Sequence, residues 1–531
     1  MNRIHAETKA YLVGGGIGSL ASAAYLIRDG GVPGPNITIF EEAAVLGGSL
    51  DGAGSPEQGY VMRGGRMFTS DNYECTWDLY KSIPSLNDKN QSVFDETMAF
   101  NEQHRSHSKA RLVDSRRAKV PASSMGFSME DRIELLKLSE TSEETLGASC
   151  ITDWLSPGFF ETNFWYLWST TFAFQPWHSA VEFKRYLHRF LLEFSRIDTL
   201  AGVKRTIYNQ YDSLVLPLQT WLKSQGVHLV TDCRVIDLDH RIDDGQFVVT
   251  GIHCVYQGKH NVVAVGDGGL VFVQNGSMTD ASSLGSMTNP PKQLTKADSG
   301  GWRLWEKLAA GWPEFGNPAA FNSCIAQSYW ESFTVTLKTP AFFDKITQFT
   351  GNEPGTGGLI TFKDSSWLMS IVLAYQPHFR GQPEGVQVFW GYALSPDRIG
   401  DFVPKPMAEC NGTEILQELC GHLRFDLDVF DLKTADAANC IPCRMPYITS
   451  MFMPRVGGDR PLPVPAGSQN LAFISQFVEI PEDVVFTVEY SVRAAQVAVY
   501  ELLGIEREIP PVTPHDRALG TQLEALIKAF K

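Results

Sequence analysis

The sequence has no uninterrupted apolar run of the ~18 residues that a membrane-spanning helix needs. It also shows no apolar leader of the secretory type before its first predicted strand, which opens about ten residues from the first methionine. These two absences predict a cytoplasmic protein. Any contact with a membrane is then expected to be peripheral.

Positive charge is in short supply as well. The chain has 60 acidic and 45 basic residues, for a net charge of -15. Such a surface repels phosphate backbones, so we expect no nucleic acid among the partners.

The nine cysteines are odd in number and scattered, and reduced thiols are expected. Cys440 and Cys443 have the spacing of half a zinc knuckle, but no second Cys/His pair stands at finger distance. With Pro442 between them, we interpret both as structural and predict no metal.

At 531 residues the chain exceeds one simple core, so two or three domains are expected. Its 32 Phe and 12 Trp suit a large apolar ligand cavity, and they suit an extensive core equally well.

The first 41 residues show the order strand, glycine turn, helix, strand and acid that binds a dinucleotide. Strands are predicted at 9–13 and 37–40, with a helical run at 20–30 between them. Gly14 permits the tight turn, and Gly16 lets the backbone approach a pyrophosphate.

Four more residues complete this predicted site. The helix starts near Ile17 and points free N–H groups at the anion. Gly18 follows, and Ser19 stands where a third glycine is usual, which a small side chain allows. Glu41 can accept hydrogen bonds from both ribose hydroxyls.

The residues after Glu41 favour FAD over NAD. Glu42, the pair Gly47 and Gly48, and Ser49 continue an E-x-x-x-x-x-G-G pattern. It resembles the run from ribose to second pyrophosphate in flavoproteins of the monoamine oxidase and phytoene desaturase group.

Two later segments resemble the same group. Residues 226–240, with Val235 after a strand, are similar to its adenine-contacting loop. Residues 471–504 read strand, turn and helix, like its late flavin-contacting segment. The sheet is therefore expected to be assembled from three separate pieces of chain.

A closer resemblance covers residues 9–510. It rests on the strings GGSLDG (47–52), RGGRM (63–67), NYECTWDLY (72–80), FAFQPWHSAVEFKRYLHRF (172–190), QPHF (376–379), FWGYAL (389–394), PYITSMFMPR (446–455) and FVEIPEDVVFTVEYSVRAAQ (477–496). These resemble the oleate hydratases, the FAD-dependent fatty acid hydratases once called myosin-cross-reactive antigens. The resemblance implies hydration of a long-chain unsaturated fatty acid, as from oleate to 10-hydroxystearate, without net redox change.

The resemblance also implies an α/β fold. It consists of an FAD-binding Rossmann-like domain of the glutathione-reductase type assembled from discontinuous segments, a mixed α+β substrate domain and a short C-terminal helical tail. The implied segments are 1–75, 195–295 and 455–510 for the FAD domain, 76–194 and 296–454 for the substrate region, and 511–531 for the tail.

Two departures from the family pattern matter. Members usually read R-G-G-R-E-M, with a glutamate thought to activate water, whereas Met67 stands at that position here. A thioether cannot take a proton from water. Many members also carry an amino-terminal arm that helps to pair subunits, and this chain begins almost at the strand. A monomer is therefore expected.

Tyr186 matches the family's proton donor. It lies at the edge of an amphipathic run whose apolar stripe includes Phe183, Leu187, Phe190 and Phe194. From periodicity alone, a core tyrosine whose hydroxyl meets a backbone carbonyl remains the alternative.

Water activation stays open. The candidates are Asp71 and Glu74, which follow the RGGRM turn, or a water polarised by backbone groups and the flavin. Both acids also fit the role of solvated loop or helix-cap residues.

The resemblance implies further contacts to the flavin, which is expected to be most effective when reduced. The residues concerned are Arg63, Gly64, Gly65, Arg66, Met67, Ser475, Phe477 and Pro481.

For the substrate carboxylate, the matching positions are Val372, Ala374 and His378. Other members place hydroxyl and amide side chains at the first two, so recognition here is expected to be looser or borrowed from elsewhere.

The last residues, 519–531, predict an amphipathic helix. Its apolar face holds Leu519, Leu523, Leu526, Ile527 and Phe530, with Lys528 and Lys531 near its end. A closing helix packed on the body and a peripheral membrane contact are both open.

Two other classes of function compete with a hydratase. One is a flavin oxidoreductase of the amine oxidase or phytoene desaturase type, and the other is a non-catalytic flavin- or lipid-binding protein, which Met67 makes conceivable.

Overall fold

The computed structural model describes residues 7–65, 67–434 and 437–531. The strands are β1 (Ala10–Val13), β2 (Ile37–Phe40), β3 (Gly52–Ser55), β4 (Gly59–Met62), β5 (Leu112–Val113), β6 (Lys119–Val120), β7 (His228–Val230), β8 (Cys233–Asp243), β9 (Gln246–Tyr256), β10 (Lys259–Ala264), β11 (Leu270–Val273), β12 (Ser283–Leu284), β13 (Trp330–Leu337), β14 (Leu359–Phe362), β15 (Met369–Val372), β16 (Gln387–Ala393), β17 (Asn439–Met445) and β18 (Leu471–Phe473). The helices are α1 (Ile17–Arg28), α2 (Glu74–Tyr80), α3 (Val93–Gln103), α4 (Met129–Glu140), α5 (Glu143–Leu146), α6 (Asn163–Phe172), α7 (Ala180–Arg189), α8 (Leu191–Phe194), α9 (Leu216–Ser224), α10 (Gly301–Ala309), α11 (Ala319–Asn322), α12 (Ile325–Ser328), α13 (Ala341–Thr350), α14 (Gly412–Leu423), α15 (Val488–Leu503) and α16 (Leu519–Ala529).

A five-stranded parallel sheet forms the nucleotide-binding half, in the order β18-β11-β1-β2-β7. Its central strand β1 is buried throughout, as expected of a parallel strand covered on both faces. Helices α1 and α15 pack against each other beside this sheet. The strands come from three separate stretches of chain, so the predicted Rossmann-like fold with discontinuous segments is confirmed.

The second half is built on an eight-stranded mixed sheet, in the order β12-β17-β13-β16-β15-β14-β5-β6. All its pairs are antiparallel except β14 with β5. The hairpin β3–β4 packs against β13 and β17, which brings the residues after the glycine turn close to this sheet. The mixed α+β character is confirmed, while the domain boundaries remain predictions.

Several local predictions differ from the structure by a few residues. Helix α1 begins at Ile17, as predicted, with Gly16 as its N-cap, and it ends at Arg28, before the end of the predicted run at Gly30. Val235 lies inside β8, since the chain re-enters strand conformation at Cys233, soon after β7 ends. No described helix has the length and apolarity needed to cross a membrane.

The terminal helix α16 forms as predicted, but its apolar face points outward. Thr521, Ala525 and Lys528 are buried against the body, next to α8. Lys528 pairs with Asp198 at 2.8 Å, so it does not reach a lipid headgroup as the sequence suggested.

A buried network of ion pairs joins the two halves. Asp483 lies between Arg189 of α7 at 3.3 Å and Arg493 of α15 at 2.9 Å. Glu74 of α2 also pairs with both arginines, at 2.6 and 3.2 Å, and Glu489 pairs with Arg493. Burial alone would raise the pKa of Glu74, but the hydrogen bonds from Arg189 hold it below its usual value.

Replacing Arg493 by methionine should therefore lower the free energy of unfolding by about 3–5 kcal/mol, because Glu489 loses its paired arginine and the carboxylates of Asp483 and Glu74 keep only Arg189. Urea unfolding measures this loss. The matched control is Arg507→Met, which breaks a pair whose arginine is 59% exposed and should cost at most about 1 kcal/mol. Equal small losses in both variants would contradict the role of the network.

Candidate active site

The glycine turn leads into the amino-terminal end of α1. Gly14 has a φ of +90°, which favours glycine over other residues. Gly16 caps the helix without a side-chain hydrogen bond, so the first N–H groups face the groove. Gln274 braces this turn, since its Nε2 donates to the carbonyl of Gly14 and to Oγ of Ser19.

A groove of about 1240 Å³ runs from this turn between β1, β2 and β8. Glu41 and Glu42 line it, together with Val235 and Arg63. Burial raises the pKa of Glu41, although the N–H groups of Ala43 and Gly15 donate to its carboxylate. A buried carboxylate at this place in the groove can accept hydrogen bonds from ribose hydroxyls in place of those from the two N–H groups.

A second cavity of about 550 Å³ continues the groove past α1. Gly16 and Gly48 belong to the walls of both, and the second is also lined by Ile17, Ser49, Ser475 and Phe477. Gly18 lies where a Cβ would approach the carbonyl oxygen of Ile474 to 2.7 Å, so it permits close packing of α1 on the segment after β18.

An apolar cavity of about 750 Å³ adjoins the second one through Phe486, Thr487 and Val488. Met67 and Tyr186 both line it. A smaller cavity of about 440 Å³ shares Gly65 and Met67 with it and reaches inward to Val372. The four cavities therefore form a continuous series from the nucleotide groove to the interior of the second half.

Tyr186 is 1% exposed, and aromatic rings of Phe172, Phe174 and Phe190 surround it at centroid distances of 5.0–5.4 Å. Its hydroxyl donates to the carbonyl of Val485 at 2.6 Å. The hydrogen bond of the core-tyrosine alternative is thus present, in a tyrosine that also lines the cavity.

The two acids proposed to activate water lie elsewhere. The side chain of Asp71 is 43% exposed and faces Arg196 at 3.9 Å, and it does not line the cavities described here. Glu74 is held in the buried ion-pair network. Neither position supports a role next to Met67, because neither acid lines the two cavities to which Met67 belongs.

The sequence reasoning missed Glu193. Among the described residues that line the two apolar cavities, it is the single carboxylate. It lies seven residues after Tyr186 and is only 6% exposed, with Arg196 donating to both of its oxygens at 2.9 and 2.6 Å. The spacing of seven residues, which is two helical turns, could have placed Glu193 on the same side as Tyr186.

Some of the residues predicted to contact the flavin lie together in the structure. Arg63, Gly64 and Gly65 line the smaller cavity, and Arg63 is held by Asp51 at 2.8 Å. Pro481 is exposed and lies on none of the four cavity walls. Pro481 was predicted to contact the flavin because of the family resemblance, but it does not line these cavities. Arg66 lies outside the described residues.

The predicted carboxylate end is buried. Val372 lines the smaller cavity, whereas Ala374 and His378 lie behind that wall, both under 9% exposed. His378 is not a surface residue. Burial, with a smaller effect of Arg205, lowers its pKa to about 3, so the ring is neutral at pH 7.

The two cysteines of the C-x-x-C pair stand on opposite faces of β17. Cys440 belongs to the core behind the large sheet, and Cys443 belongs to the core that contains Tyr186. They cannot ligate one ion, which supports the structural interpretation.

Comparison with known proteins gives consistent results. The model of the MCRA family matches residues 7–500. An oleate hydratase of Streptococcus pyogenes serotype M49 (strain NZ131) is 42% identical, over 95% of this chain and 86% of that protein. A linoleate hydratase of Lactiplantibacillus plantarum is 34% identical over 99% of both chains.

Among solved structures, cyclohexylamine oxidase from Brevibacterium oxydans IH-35A superimposes with a TM-score of 0.52. It is 12% identical over 94% of this chain and 100% of that one, a likeness of fold alone.

Gly16→Val should give a folded protein that does not retain the predicted FAD. A Cβ at this position would lie 2.7 Å from the Gln274 amide and would project into the groove. Flavin absorbance per folded molecule measures the loss. Gly158→Val is the control, since no atom lies within 4 Å of its Cβ. Full flavin absorbance in the Gly16 variant would refute this placement.

Proposed function

This chain belongs to the MCRA family, and we propose that it adds water across the C=C bond of a long-chain unsaturated fatty acid. The relatives named oleate and linoleate hydratase support this substrate class. The observation that carries the proposal is an apolar cavity, lined by Tyr186, that adjoins the predicted dinucleotide groove.

FAD is the proposed cofactor. The groove supplies Glu41 and the end of α1 for its nucleotide part, and Ser475, Phe477 and Gly65 lie along the path to the apolar cavity. When bound, the flavin supplies a flat wall to the cavity and, in its reduced anionic state, negative charge beside a developing cation. We also propose that the protein is most active when its flavin is reduced.

Tyr186 is the proposed acid. An alkene is a poor base, so the proton must come from a positioned donor in a dry site. The hydroxyl of Tyr186 gives its proton to one alkene carbon, and the oxygen of a water molecule bonds to the other. The bond to Val485 fixes the direction of the hydroxyl before the substrate arrives. The segment of Val485 must release it for transfer.

Glu193 is the proposed acceptor for the proton that the water loses. Met67 cannot serve, because a thioether is not a base at neutral pH. The ion pair with Arg196 holds the Glu193 carboxylate in place at the cavity wall. A proton passed from Glu193 to solvent and back to Tyr186 closes the cycle without net redox change.

Tyr186→Phe should leave the fold and fatty acid binding intact while turnover of oleate falls by ~10² or more, the usual scale for a positioned acid. Mass analysis of hydroxy product against time measures it. Tyr490→Phe is the matched control, because it removes an equally buried hydroxyl that donates to the carbonyl of Val478 away from the cavity. Unchanged turnover in the Tyr186 variant would move the proton donor elsewhere.

Peripheral membrane contact is proposed for the outer faces of α4 and α16. Their exposed apolar side chains are Met129, Ile133, Leu136, Leu519, Leu523, Leu526, Ile527 and Phe530, each at least 50% exposed. The two helices touch, since Arg132 donates to the carbonyl of Ala529 and stacks on Phe530. A fatty acid substrate dissolves in bilayers, and an apolar surface of this kind fits lipid.

A cytoplasmic location and a monomeric state remain predictions.

Replacing Leu519, Leu523 and Ile527 together by glutamine should lower co-sedimentation with liposomes and activity on membrane-dissolved oleate. Activity on detergent-dispersed oleate should persist, because the buried face of α16 is untouched. Ile399→Gln, at another exposed apolar position, is the control. Equal losses on both forms of substrate, with a lower Tm, would mean that the surface is only structural.

A further inference from the structure

Arg205 has two buried guanidinium nitrogens and no ion-pair partner among the described residues. The residue as a whole is partly buried, while its Nε and Nη2 atoms are buried and have no described hydrogen-bond partner. Burial lowers the pKa of Arg205 to about 10, so the guanidinium is still charged at pH 7. A buried charge without a partner is costly, and such sites are normally completed by an anion.

Among the described residues, the surroundings of Arg205 add positive charge, and no acid pairs with it. Arg111 is fully buried, and its guanidinium donates to the carbonyls of Leu359 and Ile197 and to the hydroxyl of Thr171. The acid that acts on Arg111 at longer range is Asp198, which is already paired with Lys528. His378 faces Arg205 as a neutral ring whose Nδ1 has no described partner.

Arg205 lies directly behind the walls of the apolar cavities. A Cβ at Gly358 would be 3.3 Å from Nη2 of Arg205 and 2.7 Å from Cδ1 of Leu200. Leu200 lines the cavity of Tyr186, and Leu359, which follows Gly358, lines the smaller cavity. The side chain of Leu200 therefore lines the cavity and also lies close to the guanidinium of Arg205.

We propose that Arg205 binds the carboxylate of the fatty acid, which reaches it by displacing Leu200. This inference rests on the proposed function for its substrate class. A carboxylate is the complement of a guanidinium whose Nε and Nη2 both lack a described partner, since it accepts two parallel N–H bonds. Arg111 contributes charge, and His378 offers a neutral Nδ1. Arg205 thereby takes over the recognition that Val372 and Ala374 cannot provide.

The test compares two saturated ligands of equal length, stearate and octadecanol, which cannot be hydrated. Their dissociation constants are measured on the flavin-loaded protein by quenching of tryptophan fluorescence. The wild type should bind the acid about 10- to 100-fold more tightly than the alcohol. Arg205→Met should abolish this preference and leave the alcohol's affinity unchanged. Arg117→Met, which removes an arginine stacked on Phe349 and Phe425, is the control.

A second pair of variants supplies an internal carboxylate and leaves the arginine in place. Gly358→Asp would place an acid beside Arg205, and Gly358→Asn is its neutral isostere. Asp and Asn both tolerate the positive φ of this position better than other side chains. The aspartate variant should lose the preference for the acid, and the asparagine variant should keep it.

Equal preference in the aspartate and asparagine variants would overturn the inference, as would a wild type that binds acid and alcohol alike. Hydration of oleate by the wild type is scored separately. A wild type that prefers the acid but forms no hydroxy product would refute the proposed function and leave the carboxylate site standing.

Discussion

The buried pairing of Asp483 with Arg189 and Arg493 fixes the geometry on which the site depends. Arg189 ends the helix that carries Tyr186, and Arg493 lies in the helix that begins at Val488. Asp483 itself opens the short segment whose Val485 carbonyl holds the tyrosine hydroxyl. Charges buried this deeply tolerate little displacement, because each loses its partner when it moves. The position of Tyr186 relative to the segment of Val485 and to the start of α15 is therefore fixed.

The chemistry follows from the dryness of this space. Aromatic rings enclose Tyr186, and an isolated alkene can accept a proton only where no water competes for the donor. The replacement of the family glutamate by Met67 removes one base without opening the cavity. Glu193 brings a carboxylate to the same cavity from the chain segment after Tyr186. We propose that this carboxylate accepts the proton that the water loses.

The parts of the fold that depend on local sequence could be predicted. The turn at Gly14, the strand over residues 37–40 and the terminal helix follow from residue type and spacing within a few residues. The nucleotide groove followed from the order of strand, glycine turn, helix, strand and acid, whereas Tyr186 was identified by long strings shared with a known family. The orientation of α16 could not be predicted, because which face is buried is decided by its contact with α8, far away in the sequence.

The same limit applies to the charged residues of the site. Glu74 looks like a loop acid in the sequence, and only the tertiary structure brings Arg189 and Arg493 to it. Arg205 and Gly358 are distant in the chain, so neither composition nor spacing reveals a buried guanidinium behind Leu200. Glu193 shares a helical spacing with Tyr186, which was a usable signal, but its exposure to the cavity depends on the break between α7 and α8.

The most direct test of the account is the mass of the product formed under anaerobic conditions. The flavin-loaded protein is reduced, supplied with excess oleate and sampled while the flavin spectrum is recorded. The account predicts a product that has gained one water, in many-fold excess over the flavin, with the flavin still reduced at the end. A parallel assay starts from oxidised flavin. If its product has lost two hydrogens and one flavin is bleached for each product molecule, the result would contradict the account and identify an oxidoreductase. An unaltered oleate would contradict it as well and identify a binding protein.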